Sequence, residues 1–197
     1  MTGRGAIVAA AITALAVTAW RAELFTVSRP GAHPYPLALI DAGQRRAAAF
    51  DVTLPIVPVG MERLQAGRGV LLIHYWAPWE HHSLEQASRL DSLRRGADLE
   101  RLQAVIVCFD PFPSVARYVG RNRLRVPVLL DTRRALAPRL LCPSIPYTYV
   151  IDAVGRIAIA QAGEVDWLAP RTRAALRRLL AEPDSATTQP EATSSAT

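Results

Sequence analysis

Lysine is absent from this sequence. All 23 basic residues of the 197-residue chain are arginine, and with 17 acidic residues they give a net charge of +6. Nucleic-acid-binding surfaces usually combine clustered basic residues with aromatic side chains that stack on bases. The arginines here are scattered through helical segments and do not alternate with aromatic residues, which make up 7% of the chain. We therefore expect no nucleic-acid partner.

Cysteine is nearly absent, and no Cys-x-x-Cys pair occurs. Dithiol exchange needs one thiolate that attacks and a second, neighbouring thiol that resolves the mixed disulfide. Cys108 and Cys142 lie far apart in the sequence, each beside apolar residues, so we interpret both as small buried core residues. A disulfide between them requires a short Cα separation, which the sequence does not establish.

A long uncharged stretch stands near the N-terminus. Residues 5–20 are rich in Ala, Val and Ile and lie between Arg4 and Arg21. A helix over these positions is roughly 24 Å long, slightly shorter than the ~30 Å hydrocarbon core of a bilayer. We predict a membrane-targeting segment over residues 1–28, and an uncleaved anchor is one form that it can take. Val17-x-Ala19 is a candidate signal-peptidase site, so a cleaved signal peptide is the alternative.

Proline and small polar residues mark two further extensions. Residues 29–48 contain three prolines, which interrupt helix and strand alike, and we predict a proline-rich spacer there. Residues 183–197 are mainly Ser, Thr, Ala and Pro, which predicts a disordered tail. Half of the residues are hydrophobic, which is enough to form one core. We therefore predict one domain over residues 49–182.

Within residues 49–182 the apolar period alternates between that of a strand and that of a helix, which predicts a layered α/β domain. Predicted strands cover residues 50–55, 70–73, 104–109, 126–130, 147–151 and 156–160. Predicted helices cover residues 83–95, 114–122, 132–141 and 170–181, the last with Leu176, Leu179 and Leu180 facing the core.

One turn joins an apolar strand directly to an amphipathic helix: Trp76-Ala77-Pro78-Trp79-Glu80-His81-His82-Ser83. The free N–H groups and the dipole at a helix N-terminus stabilise negative charge, so Glu80 suits this position. Ser83 is predicted to cap the helix, with Gln86 three residues later in the position of a capping box.

This turn resembles the Trp-x-x-Trp-Cys-x-x-Cys turn of the membrane-anchored thioredoxin-like family, the thiol-disulfide reductases of cytochrome c biogenesis. Glu80 and Ser83 occupy the two cysteine positions. A second segment, 144–152, resembles the family's Val-Pro-Thr-x-x-x-Ile-Asp, in which the proline is cis. The resemblance implies a thioredoxin-like α/β fold, a central mixed sheet flanked by helices, with one N-terminal transmembrane helix. It also implies that residues 61–64 form a short turn and that a cis Pro146 lies against the turn at 80–83.

Neither Glu nor Ser can exchange disulfides. This departure from the family's motif therefore implies a non-catalytic protein, and we expect it to need no cofactor. We expect an accessory or assembly subunit of a membrane protein complex, respiratory or photosynthetic, in the bacterial inner membrane with its C-terminal domain in the periplasm. The turn would serve as a docking surface, formed by Trp76, Trp79, Glu80, His81, His82, Ser83, Ile145 and Pro146. Trp79 is the expected anchor, since Trp is enriched at interface hot spots. One alternative is that Trp79 packs over its own turn. Separately, the proline-rich residues 29–44 are a competing docking element.

Two other functions compete with docking. A thiol-disulfide or metal-handling factor in cytochrome or oxidase biogenesis is the first, since Glu80, His81 and His82 carry metal-ligating groups. Side chains one position apart at a helix start diverge, so we expect exposed polar residues and no metal site. A serine hydrolase is the second, but Ser83 lies in no nucleophile elbow and has no visible triad.

Overall fold

A computed structural model describes residues 34–80 and 82–183, and the described chain forms one sheet with helices. The strands are β1 Asp51–Val57, β2 Met61–Gln65, β3 Leu71–Tyr75, β4 Gln103–Cys108, β5 Val128–Leu130, β6 Tyr147–Ile151 and β7 Ile157–Ala162. The helices are α1 Ser83–Arg94, α2 Phe112–Asn122 and α3 Pro170–Ala181, with short 3-10 turns at Ala42–Gln44 and Ala97–Leu99. The predicted α/β fold class is confirmed.

The sheet is mixed, with the strand order β2-β1-β5-β4-β3-β6-β7. β3, β4 and β5 run parallel, and antiparallel hairpins of β1 with β2 and of β6 with β7 complete the two ends. β6 runs antiparallel to both β3 and β7, so β6 begins and β7 ends where β3 and β4 end. We call this side of the sheet the carboxyl edge.

The two faces of β3 belong to different cores. Leu72 and Trp76 pack on the side that the three helices cover, whereas Leu71, Ile73 and Tyr75 pack on the other side. Among the helical residues of the first core are Ala87, Leu90, Val115, Val119 and the predicted Leu176, Leu179 and Leu180. Every residue of β3 is buried, as expected for a central strand covered on both faces.

The predicted helix over residues 132–141 is wrong, because this segment is a series of turns. The buried carboxylate of Asp131 accepts the backbone N–H groups of Ala135 and Leu136, which offers the chain an alternative to helical bonding. Leu136 and Leu140 then cover the second face of the sheet. The apolar spacing of these leucines therefore predicted their burial correctly, but it predicted a helix where the chain forms turns.

Residues 61–64 belong to a strand and not to the predicted turn. β2 pairs with β1 in a register that runs from Gln65 opposite Asp51 to Met61 opposite Pro55. The connection contains Gly60 with φ 118°, a backbone conformation that favours glycine. Leu64 is fully buried, so the inner face of the hairpin contributes to the second core.

The described part of the predicted spacer, residues 34–48, packs along β7. The N–H of Ile40 donates to the carbonyl of Ala158 at 2.8 Å, and the N–H of Ile157 donates to the carbonyl of Arg46 at 2.8 Å. Leu37 and Ala48 are buried. These residues form part of the folded domain because they supply partners to the backbone of an edge strand, which would otherwise lie open to solvent.

A buried ion pair joins this segment to the end of α3. Arg45 donates to Asp152 at 3.0 Å and to both carboxylate oxygens of Glu182 at 2.5 and 2.9 Å. The side chains of Arg45 and Asp152 are each 1% exposed. The hydrogen bond from Arg45 lowers the pKa of Glu182. Residues 34–48, the β6–β7 turn and the end of α3 are thus joined at one point.

Several predictions fall on residues that the structure does not describe: the anchor over 1–28, residues 29–33 of the spacer and residues 184–197 of the tail. Within residues 34–80 and 82–183, none of the helices has the length and apolar character to cross a bilayer.

Candidate functional site

The predicted turn leaves the sheet at the carboxyl edge with Trp76 still in the core. Its backbone N–H donates to the carbonyl of Val107 at 3.0 Å, and its ring is 1% exposed. The ring meets that of Tyr118 edge to face, with centroids 4.8 Å apart. Burial, and secondarily the charge of Glu80, raise the pKa of Tyr118 to about 12. Trp76 therefore holds the turn in place and offers no surface to a partner.

Trp79 points the other way, and 60% of its side chain is exposed. The N–H of Glu80 donates to the carbonyl of Ala77 at 3.2 Å, which closes a tight turn around Pro78 and Trp79. The structure therefore disfavours the alternative in which Trp79 is covered by its own turn. A large aromatic side chain presented on a fixed turn is the usual form of an interface anchor.

Glu80 and His82 order the start of α1. The Glu80 carboxylate accepts the N–H of His82 at 3.1 Å, and so satisfies one of the free donors before the helix. Nε2 of His82 lies 3.6 Å from the carboxylate of Glu164, in the loop that follows β7. The turn is thereby linked across the carboxyl edge to the neighbouring loop.

The predicted capping box is wrong. The helix begins at Ser83 with His82 as its N-cap, and no side chain of His82 caps it. The Gln86 side chain is buried and accepts the indole N–H of Trp167 at 2.7 Å and the N–H of Val165 at 3.2 Å. A buried indole N–H requires a hydrogen-bond acceptor, so the side chain of Gln86 is oriented toward Trp167 and not toward the start of the helix.

No group of three His, Cys, Asp or Glu side chains able to hold a metal occurs within residues 34–80 and 82–183. His81 and the side chain of Ser83 lie outside the described part of the structure. Of the three candidate ligands, the described Glu80 and His82 engage a backbone N–H and Glu164, respectively.

The loop before β6 meets the sheet at the same edge as the turn. The Ile145–Pro146 peptide bond is cis, which confirms the expectation from the resemblance. β6 begins next to the end of β3, with Tyr147 opposite Tyr75, so the loop and the turn share the carboxyl edge. The carbonyl of Pro146 accepts the N–H of Gly163 at 2.9 Å, which fixes the loop to the end of β7.

Exposed apolar side chains concentrate at the carboxyl edge. Of eight large exposed apolar residues in the described chain, six lie in segments that meet this edge: Tyr35, Trp79, Leu84, Phe112, Leu141 and Leu168. Tyr35 is placed there because it bridges Val165 in the loop after β7.

The two cysteines are inert in this fold. Cys108 packs in the core on the helical side of the sheet and Cys142 in the core on the other side, so the sheet separates the thiols. Both are free and buried, and burial raises the pKa of each thiol to about 12. The open question of a disulfide is thereby answered: these thiols cannot meet while the sheet is intact.

His74, on β3 directly below the turn, was not singled out from the sequence. It is fully buried, with Nδ1 3.0 Å from the hydroxyl of Thr148 and its ring edge to face with Trp167 at 5.3 Å. Nε2 has no hydrogen-bond partner in the described chain. Burial lowers the pKa of His74 to about 3, so the imidazole is neutral. The visible signal was a histidine inside an otherwise apolar strand.

Comparison with known proteins supports the fold assignment. No family model and no curated protein matches the sequence. Among solved structures, a protein from Chlorobium tepidum assigned as thiol:disulfide interchange protein DsbE superposes with a TM-score of 0.57 and 17% identity, over 70% of this chain and 95% of that chain. The chain has a thioredoxin-like fold.

Two further structures support this assignment. A protein from Neisseria meningitidis assigned as a thioredoxin matches with a TM-score of 0.58 and 22% identity, over 73% of this chain and 99% of that one. Peroxidoxin BcpB from Mycobacterium tuberculosis matches with a TM-score of 0.54 and 19% identity, over 75% and 99%. These neighbours carry different names on one architecture, and likeness at such identities shows the fold alone.

Proposed function

We propose that this thioredoxin-like protein does not exchange disulfides and serves as an accessory or assembly subunit that docks on a membrane protein complex. The observation that carries the proposal is the turn at the carboxyl edge, which keeps an exposed Trp79 where the resembling family has its reactive turn. Glu80 and Ser83 stand at the cysteine positions. The surface has lost its sulfur chemistry and retained the shape of a recognition site.

The remaining thiols support the absence of redox function. A thiol with a pKa of about 12 has a negligible thiolate fraction at neutral pH, and only the thiolate attacks a disulfide. Cys108 and Cys142 also lie on opposite faces of the sheet. Neither can therefore replace a missing active-site cysteine.

The path of the chain supports docking close to a membrane. Residues 34 and 35 reach the domain at the carboxyl edge, where Tyr35 bridges Val165. If residues 1–28 are the anchor, the few residues up to 34 span at most about 20 Å when fully extended. The edge that carries Trp79 would then face the bilayer, on the periplasmic side of a bacterial inner membrane.

The test is quantitative co-purification of the tagged full-length protein from native membranes in mild detergent. Trp79→Ala should reduce the recovery of its membrane partners, because it removes the central apolar anchor. Met61→Ala is the matched control, since Met61 is also 60% exposed but lies on the β1–β2 hairpin. Unchanged recovery with Trp79→Ala, together with complete loss when residues 1–28 are removed, would refute docking through the turn.

The alternative is a thiol-disulfide or metal-handling factor in cytochrome or oxidase biogenesis. The name of one structural neighbour, a thiol:disulfide interchange protein, favours the thiol-disulfide form of this alternative. An insulin-reduction assay separates docking from thiol-disulfide exchange, and metal binding by the purified protein tests the metal-handling role. We expect no turnover above the rate without protein, and the same result when both cysteines are replaced by alanine. Turnover by the wild type that the cysteine-free variant lacks would favour the alternative.

A further inference from the structure

The arginines are spread along the chain, but their excess over acidic residues falls in one segment. Residues 111–139 contain seven arginines and a single acidic residue, Asp131, which leaves a local net charge of +6. This equals the net charge of the whole chain, so the remaining arginines and acidic residues balance. Asp131 is itself buried and bonded to backbone N–H groups, so it does not offset the surface charge.

Four of these arginines follow one another along α2 and the residues after it. Arg117 and Arg121 lie one turn apart on the exposed side of the helix, and Arg123 and Arg125 follow its end. We call these four the arginine patch. All are exposed, and none forms a hydrogen bond or an ion pair with a residue of the described chain. Elsewhere in the described chain some exposed arginines pair with carboxylates, as Arg63 does with Asp51, and others, such as Arg46 and Arg171, do not.

Helix stability does not account for the arginine patch. Cations near a helix C-terminus interact favourably with the dipole, which is a sufficient reason for Arg121 and Arg123. The effect fades beyond the last turn. Arg117 lies in the middle of α2 and Arg125 beyond the end of the helix, so neither gains from it. Exposed charges without a partner in the fold are available to a partner outside it.

The location of the arginine patch limits the partner. α2 starts at the carboxyl edge and runs back along the sheet, so the arginine patch lies toward the opposite edge. The exposed aromatic residues, Tyr35, Trp79 and Phe112, are at the carboxyl edge. Single-stranded nucleic acids need aromatic platforms beside the charge, and the arginine patch has none in the described chain.

A lipid surface is also a poor fit. The arginine patch is separated from Tyr35 by the length of β4 and by the strands from β7 to β5, a distance on the order of 27 Å from standard strand spacings. With residues 1–28 in a bilayer, the stretch up to residue 34 reaches at most about 20 Å. The arginine patch therefore lies well away from the point at which the chain would leave the bilayer. Carboxylates remain, and they pair with guanidinium groups in bidentate geometry.

We propose that the arginine patch binds an acidic surface of a second protein, at the pole of the domain opposite Trp79. The patch uses residues on another element and another edge than the proposed docking surface, so the two contacts can be tested separately. Only the argument against a lipid partner rests on the anchor of the proposed function. The contact is electrostatic, so it would accelerate association and weaken with rising salt.

The test uses the full-length protein in an uncharged detergent and a fluorescent poly-L-glutamate of about 20 residues as the acidic probe, at about 150 mM salt. The patch variant is Arg117→Glu with Arg125→Glu, which spares the last turn of α2. The control variant is Arg46→Glu with Arg171→Glu, two exposed arginines outside the arginine patch. The two variants change the net charge equally.

We expect the patch variant to weaken binding of the probe about tenfold or more and the control variant about twofold or less. Equal weakening by the two variants, or no binding by the wild type, would overturn the proposal. The same measurements with a single-stranded oligonucleotide and with phosphatidylglycerol vesicles complete the test. If the patch variant weakens either of these more than it weakens poly-L-glutamate binding, the partner is a nucleic acid or a lipid and the proposal is wrong. If the glutamate pair prevents folding, the corresponding glutamine pair should weaken probe binding about threefold.

Discussion

The buried imidazole of His74 should make the fold sensitive to mild acid. Its pKa is lowered to about 3 by burial, against an ordinary value of 6.5. Between these values the unfolded chain binds a proton that the folded chain does not, so stability falls as the pH falls through 6.5. Each pH unit within this window costs up to about 1.4 kcal/mol. Going from pH 7 to pH 5 should therefore remove about 2 kcal/mol from the free energy of unfolding.

The measurement is urea unfolding of the wild type and of His74→Asn at both pH values, followed by tryptophan fluorescence. Asn can still meet the hydroxyl of Thr148 but does not titrate, so its stability should change about 2 kcal/mol less between the two pH values. His82→Asn is the control, because it removes a histidine that is 39% exposed and leaves the buried one in place. It should retain the wild-type loss at pH 5. If His74→Asn and the wild type lose the same free energy, the imidazole is not held neutral by burial.

Three further predictions concern stability and thiol reactivity. Arg45→Met should cost about 3 kcal/mol of unfolding free energy by urea denaturation, because it removes one of the two guanidinium groups that pair with the buried carboxylate of Asp152 and leaves Arg156 as the other. Arg63→Met, which breaks an exposed ion pair, should cost far less, and equal losses would contradict this reasoning. Gln86→Leu should cost about 2 kcal/mol or more, since the indole N–H of Trp167 loses its acceptor, and a thermal midpoint equal to that of the wild type would show that the bond is dispensable. The two cysteines should react with a thiol reagent at pH 8 only as fast as the protein unfolds. Both thiols are buried, and a pKa of about 12 leaves about one thiolate in ten thousand while the protein is folded. Labelling that is faster than unfolding would disprove their burial.

Much of the fold was predictable because it depends on apolar period and local turn signals. The strand before the turn and the helices at 83–95 and 170–181 were found with small errors at their ends. Residues 132–141 failed because helical spacing also occurs in a loop that covers a sheet face. There Asp131 bonds to the backbone through its side chain, and this interaction has no apolar signature.

The candidate site was less predictable, because partners distant in sequence determine the direction of each side chain. Trp76 and Trp79 look alike in the sequence, yet one is buried against Tyr118 and the other is exposed. Gln86 had the spacing of a capping residue, but a tryptophan 81 positions later determines its orientation. The cis bond at Pro146 was predicted from the resemblance to a family. The apolar periodicity of the sequence carries no information about a cis peptide bond.

The packing of residues 34–48 along β7 has a practical consequence for anyone who shortens this protein. A version that begins at residue 49, where the sequence alone places the start of the domain, would lose Leu37, Ala48 and the guanidinium that Asp152 needs. It would also leave β7 as a bare edge strand, and such strands recruit further strands from neighbouring molecules. Aggregation of that version would therefore result from where the chain was cut, whereas a version that begins before residue 34 keeps the edge of the sheet closed.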